Sequence, residues 1–139
     1  MFERLVYVSE AAPGVGAHDA YDIIRIAHNR NSQAGLTGAL VFIDGHFVQV
    51  LEGDSFHLRQ RFAKIAADPR HVKVQVRECV AIADRIFPRD WMALRQGEGV
   101  PPDVRRSFGY EPGFPPSAFP PDRLIAFVRA CCDASSEVG

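Results

Sequence analysis

Two apolar runs meet at Asp44-Gly45, and that junction constrains the fold more than any other stretch of the chain. Both residues tolerate the positive φ that a two-residue hairpin turn requires. The flanking segments GALVFI (38–43) and HFVQVLE (46–52) therefore read as antiparallel strands. A hairpin at this point disfavours a wholly parallel sheet.

The flanks of the hairpin complete the pattern. Leu5-Val6-Tyr7-Val8 is a short first strand, and AAPGVG is a turn. Asp19 can cap a helix running to about residue 30, with Ala20, Ile23, Ile24 and Ala27 at helical spacing. After the hairpin, Leu58, Phe62 and Ile65 mark one face of a second helix, which Asp68-Pro69 stops. A fourth strand is expected over 72–81, with Val72, Val74 and Val76 alternating, and a fifth around 85–94. The order β-α-β-β-α-β-β, with two helices on one face of a mostly antiparallel sheet, is a ferredoxin-like α+β arrangement. Residues 1–95 form this unit. Residues 96–139 are a Pro/Gly-rich connection followed by a last helix opened by Pro121-Asp122. Its stripe of Leu124, Ile125, Val128, Cys131 and Cys132 needs an apolar surface, and the uncovered sheet face supplies one. A partner protein is the alternative cover.

The chain has 139 residues, 47% of them hydrophobic and 24% charged, which suits one soluble globular domain. A net charge of −1 gives no reason to expect nucleic acid or an anionic membrane as partner. No apolar run approaches a membrane span, and MFERLVYV lacks a signal-peptide layout, so a cytoplasmic location is expected. Cys79, Cys131 and Cys132 show no CxxC spacing and read as small packing residues, with a redox role for the adjacent pair as the alternative. The histidines show no zinc-ligand spacing, and no metal site is expected. Gly14-Val15-Gly16 lacks the third glycine of a dinucleotide fingerprint, because position 19 is Asp.

Gln49 is the residue that points toward function. Phe47, Gln49 and Leu51 share one face of the third strand, as Leu5, Tyr7 and Ser9 share one face of the first. In a ferredoxin-like sheet these two strands are central neighbours. If both faces look toward the helices, Tyr7 and Gln49 lie within hydrogen-bonding reach. Asn31, at the end of the first helix beside Asn29 and Arg30, enters the same space. A polar pair that merely satisfies itself in the core is the plain reading. The cluster of Tyr, Gln and Asn also suits a flat heteroaromatic ligand with carbonyl and imide edges. Ile23 and Ile65, one from each helix, would clasp such a ring, or serve simply as core. Asp68-Pro69-Arg70-His71 is either a solvated helix stop or a phosphate contact through Arg70 and His71.

The stretches LVYVSEA (5–11), NSQAGLTGALV (31–41), GHFVQVLEG (45–53), IAADPRH (65–71) and RIFPRDWM (85–92) together resemble the BLUF domain, a blue-light sensor using flavin. The resemblance covers roughly residues 4–94. It implies FAD held between the two helices, with Tyr7 as the light-driven electron and proton donor. It implies that Gln49 bridges Tyr7 and the flavin N5/C4=O edge, and that its hydrogen bonds rearrange after excitation. A stronger bond to C4=O would shift absorption to the red. Asn31 would bind the carbonyl edge, and Arg30 stands where the family varies among polar residues. Ile23 and Ile65 match the residues that sandwich the ring, and Asp68, Arg70 and His71 match contacts toward the ribityl chain. Met92 matches a fifth-strand methionine that approaches the glutamine. The family's tryptophan usually sits two residues before it. Here that position is Asp90, and Trp91 abuts Met92. Either Trp91 points away from the pocket, or Arg89 is a bulge that restores Trp91 and displaces Met92. Ala27 stands where many members carry a hydroxyl.

These features imply a short blue-light photoreceptor and not an enzyme. Its output would pass to a downstream partner protein, or through self-association by the C-terminal helix. A flavin-less regulatory module of the same fold is one alternative. A small acyl phosphate hydrolase-type enzyme using Arg and Asn is another, although no base or nucleophile is positioned for it.

Overall fold

The computed structural model describes residues 2–16, 19, 22, 35–43, 45–87, 93–96, 102–108 and 119–136. Strands β1 (Phe2–Ala11), β2 (Thr37–Ile43), β3 (His46–Asp54), β4 (His71–Ala81) and β5 (Ala93–Gln96) form one sheet in the order β4-β1-β3-β2-β5. Helices α1 (Ser55–Ala67), α2 (Pro102–Ser107) and α3 (Pro121–Ser136) complete the described elements. The central four strands are antiparallel, and β5 joins the edge of β2 in parallel. This is the ferredoxin-like α+β fold expected from the strand and helix order. Most of the helix expected over residues 19–30 lies outside the described residues. Asp19 is already helical, and its carboxylate accepts from the Gly16 N–H at 3.0 Å. That backward reach is the second half of a capping box, so Asp19 sits inside the helix and is not its N-cap.

The hairpin fixes the register of the centre. Gly45 carries the turn at φ 77°. β2 then runs back along β3 from Ile43 opposite His46 to Thr37 opposite Glu52. Gly38 is needed at its position because a Cβ there would lie 1.9 Å from the Val50 carbonyl oxygen. β1 pairs with the other side of β3 without a break, from Phe2 opposite Asp54 to Glu10 opposite His46.

Alternation along these strands divides the core into two layers. Leu5, Tyr7, Leu36, Leu40, Phe47 and Leu51 face α1, whose Leu58 is fully buried against them with Phe62 and Ile65 alongside. Asp54 caps α1 by accepting from the Phe56 and His57 amides. Val6, Val8, Ala39, Val41, Ile43, Val48 and Val50 form the opposite layer with Phe87, Phe119, Leu124, Phe127, Val128 and Cys131. The apolar stripe of α3 thus lies on the second sheet face. Burying each such large side chain stabilises by about 1.5–3 kcal/mol.

Three further expectations need correction. The fifth strand does not begin near residue 85: Ile86 and Phe87 donate their amides to the Glu52 side chain, not to a neighbouring strand, and β5 starts at Ala93. Cys79 is not a packing residue. It is exposed on edge strand β4, whereas Cys131 is buried. The alternation read into 72–81 is broken by two register shifts, with Lys73 at φ 53°, and Val72 and Val76 are exposed.

Gly38→Ala should destabilise the fold by about 2–4 kcal/mol in denaturant unfolding, because backbone must separate to admit the methyl group. Gly14→Ala, where a Cβ would meet nothing within 4 Å, isolates the cost of positive φ alone and should be milder.

Candidate functional site

The α1 face of the sheet is largely apolar, with a polar pair at its centre. Tyr7 and Gln49 are direct partners across β1 and β3, and the phenol O–H donates to Gln49 Oε1. Tyr7 is 1% and Gln49 3% exposed, so neither relies on water. An amide carries its acceptor and its donors on opposite sides of Cδ. With Oε1 turned to the phenol, the NH2 end is turned away from it.

The surroundings keep this pair neutral and rigid. Phe62 of α1 tilts over the Tyr7 ring with centroids 5.6 Å apart, and His71 meets its edge at 6.1 Å. His71 also packs on Phe47 at 4.5 Å and shares a 2.9 Å hydrogen bond with Ser9 Oγ. Burial pushes the Tyr7 phenol far above its ordinary range, with Arg61 opposing that shift and Asp68 adding to it. Burial lowers His71, against the pull of Asp68, and so favours the neutral imidazole.

Asp68 and Arg70 stand together where α1 gives way to β4. Arg70 Nη2 lies 2.6 Å from Asp68 Oδ2, and the Arg70 amide donates to Asp68 Oδ1 at 2.9 Å. Hydrogen bonding from Arg70 holds the Asp68 carboxyl below the usual carboxylate range, and Asp68 in turn raises Arg70. Both remain half-buried.

Of the residues singled out in the sequence, Tyr7, Gln49, Ile65 and His71 lie on or beside one wall, and Asp68 and Arg70 stand at its end. Ile23, Arg30, Asn31, Trp91 and Met92 lie outside the described residues. Three neighbours escaped sequence reading. Ser9 shares a face with Tyr7 by alternation, but its partner His71 lies 62 residues away in the sequence. Arg61 is one helical turn before Ile65, a spacing that sets its charge toward Tyr7. Glu52 looked like an ordinary strand terminus, yet it is fully buried on the opposite face. Among the described residues, no group of His, Cys, Asp and Glu could hold a metal ion.

The wall offers a planar ligand an aliphatic and aromatic surface with the Tyr7–Gln49 and Ser9–His71 hydrogen bonds set into it. Comparison with known proteins agrees. The family model for sensors of blue-light using FAD matches residues 2–93. The chain belongs to the BLUF family. Its region of similarity to the photoactivated adenylate cyclase subunit beta of Euglena longa is 37% identical over 87 residues, 63% of this chain and 10% of that protein. The chain therefore spans about a tenth of the cyclase subunit. The solved structure of BlsA in its photo-activated state is 27% identical with a TM-score of 0.81, covering 92% of both chains. The dark-state structure of the BLUF protein BlrB is 26% identical with a TM-score of 0.77, covering 95% of this chain and 96% of that one. BLUF domains bind flavin and sense blue light, and the BLUF unit is not itself catalytic. No described helix is long and apolar enough to cross a membrane.

The raised phenol makes a pH prediction. A free phenol titrates near 10, so above roughly pH 10 the unfolded chain sheds a proton that folded Tyr7 keeps. The stability contributed by the neutral phenol is complete below that pH and is lost as pH rises, at about 1.4 kcal/mol per pH unit. Denaturant unfolding at pH 8 and pH 11 should show a loss about 1.4 kcal/mol larger in the native chain than in Tyr7→Phe. Equal losses would show that Tyr7 ionises freely in the fold.

Proposed function

We propose that this BLUF protein is an FAD-binding photoreceptor in which Tyr7 and Gln49 form the light-responsive pair. The buried Tyr7–Gln49 hydrogen bond, set in a largely apolar wall, is the observation that carries the reading. Ile65 and the α1 face support the ring on one side, and Ile23 and Asn31 complete the pocket from the first helix. Arg30 borders it, and Asp68, Arg70 and His71 hold the polar side chain of the cofactor. When bound, the flavin supplies blue absorption and a strong excited-state oxidant.

The residues then have definite tasks. Tyr7 would pass an electron to the photoexcited ring and its Oη proton along the existing bond to Gln49 Oε1, and both would return to Tyr7 as the charges recombine. Gln49 afterwards resettles with its amide reoriented, exchanging the end that faces Tyr7 for the end that faces the ligand. His71 and Phe62 hold the phenol in line throughout. Water is kept out, so a change of one hydrogen bond is not diluted by solvent.

Residues 1–95 act as the sensor, and residues 96–139 close its second face and carry the output. That output passes to a downstream partner protein, or to a second copy of the chain, in the cytoplasm. Trp91 or Met92, which precede β5 in the sequence, would relay the change to that strand.

Purified protein should be yellow, and flavin released by heat should chromatograph as FAD. Blue light should produce a small red shift that reverses in the dark. Gln49→Leu and Tyr7→Phe should each retain flavin and lose the normal red-shifting photocycle, read by absorption spectroscopy. An unaltered photocycle in either variant contradicts the assigned roles. Colourless protein that takes up no added flavin favours the regulatory module without cofactor.

A further inference from the structure

Glu52 is a carboxylate in the apolar layer on the far side of the sheet from Tyr7, fully buried with 0% exposure. Burying a charge is costly unless it is fully partnered. Here Arg4 Nε donates at 2.9 Å, the Ile86 amide at 3.0 Å and the Phe87 amide at 2.8 Å. The same short segment is held from two other strands. Arg4 Nη2 donates to the Asp84 carbonyl at 3.5 Å, and Arg85 Nη1 donates to the buried Thr37 hydroxyl at 2.9 Å.

The segment so fastened does more than connect β4 to β5. Phe87 is 3% exposed and belongs to the cluster formed by Leu124, Phe127, Val128 and Cys131 of α3. Glu52 is therefore a bridge with β3 at one end and the packing of the C-terminal helix at the other. On β3 it stands three residues from Gln49, about 10 Å along the strand and on the opposite face. A shift of β3 that accompanies resettling of Gln49 moves the acceptor of two backbone amides. A close-packed cluster on which Phe87 sits answers by repacking, because it has no slack to absorb the movement.

We propose that Glu52 is a positioning residue that couples β3 to α3 through the backbone of Ile86 and Phe87, giving the light signal a route across the sheet to the C-terminal helix. The proposal rests on the photosensor reading above. It does not pass through Trp91 or Met92.

The test is amide hydrogen exchange of the full flavin-loaded chain, in darkness and under blue light, for the native protein and Glu52→Gln. In the native chain, light should change exchange at both 82–87 and 121–136. In Glu52→Gln the red shift should persist, because Glu52 lies on the other face from Gln49. Dark exchange at 82–87 should quicken by on the order of tenfold as charge-assisted bonds are lost. The light-dependent change at 121–136 should disappear. A merely structural clamp would also quicken dark exchange, but it would leave that light-dependent change intact, which overturns the proposal. Should Glu52→Gln not fold, Glu52→Asp keeps the charge but falls one methylene short of both amides, and the same loss is expected. A native chain that red-shifts with no change at 82–87 overturns the coupling alone. A native chain without a red shift overturns the photosensor reading and the coupling with it.

Discussion

The hydrogen bond between Tyr7 and Gln49 is the constraint around which the structure is arranged. Two polar side chains stand at the centre of a largely apolar layer, and the phenol donates to the amide oxygen. Leaving either unpaired would cost about 1–3 kcal/mol. The pairing needs β1 and β3 in one register, since a slip of one residue would turn Gln49 to the α3 face. The hairpin at Gly45, the close approach at Gly38 and the unbroken β1–β3 ladder together hold that register.

The bond is also suited to change. A primary amide can present either end to the phenol with little change in shape, so two arrangements fit one packed wall. In one, Tyr7 donates to Oε1. In the other, the NH2 group donates to the phenol oxygen, and the partners on the ligand side must exchange roles. Burial that keeps the phenol and the imidazole neutral removes competing charge states. What distinguishes the two arrangements is the direction of a few hydrogen bonds, and low local dielectric gives that difference weight. In the proposed photochemistry, light moves the site from one to the other. The second face turns a local exchange into an outward signal because Glu52 ties β3 to the segment under α3.

Much of this was legible in the sequence wherever a local rule and the global fold agreed. Period-two alternation placed Tyr7 and Gln49 on one face, and Asp44-Gly45 paired the strands beside them. The stripe in α3 announced a helix that needed a surface. Where tertiary contacts override local pattern, the sequence misled. Arg85-Ile86-Phe87 has the composition of a strand start, but a carboxylate 34 residues earlier takes up the Ile86 amide. Cys79 looked like a core residue because alternation does not reveal that a strand lies at a sheet edge. A buried charge such as Glu52 carries no local signature at all, because its partners come from β1 and from the connection after β4.

In the proposed photochemistry the hydrogen bond of Tyr7 changes when blue light is absorbed. The chain holds three tyrosines, so Tyr21→Phe with Tyr110→Phe leaves Tyr7 alone. Light-minus-dark infrared difference spectra of that variant, grown with ordinary or ring-deuterated tyrosine, report on the Tyr7 phenol directly. Isotope-sensitive phenol bands should appear and decay together with the red shift, as a change at the Tyr7 hydrogen bond requires. A full red shift without any isotope-sensitive band would contradict it.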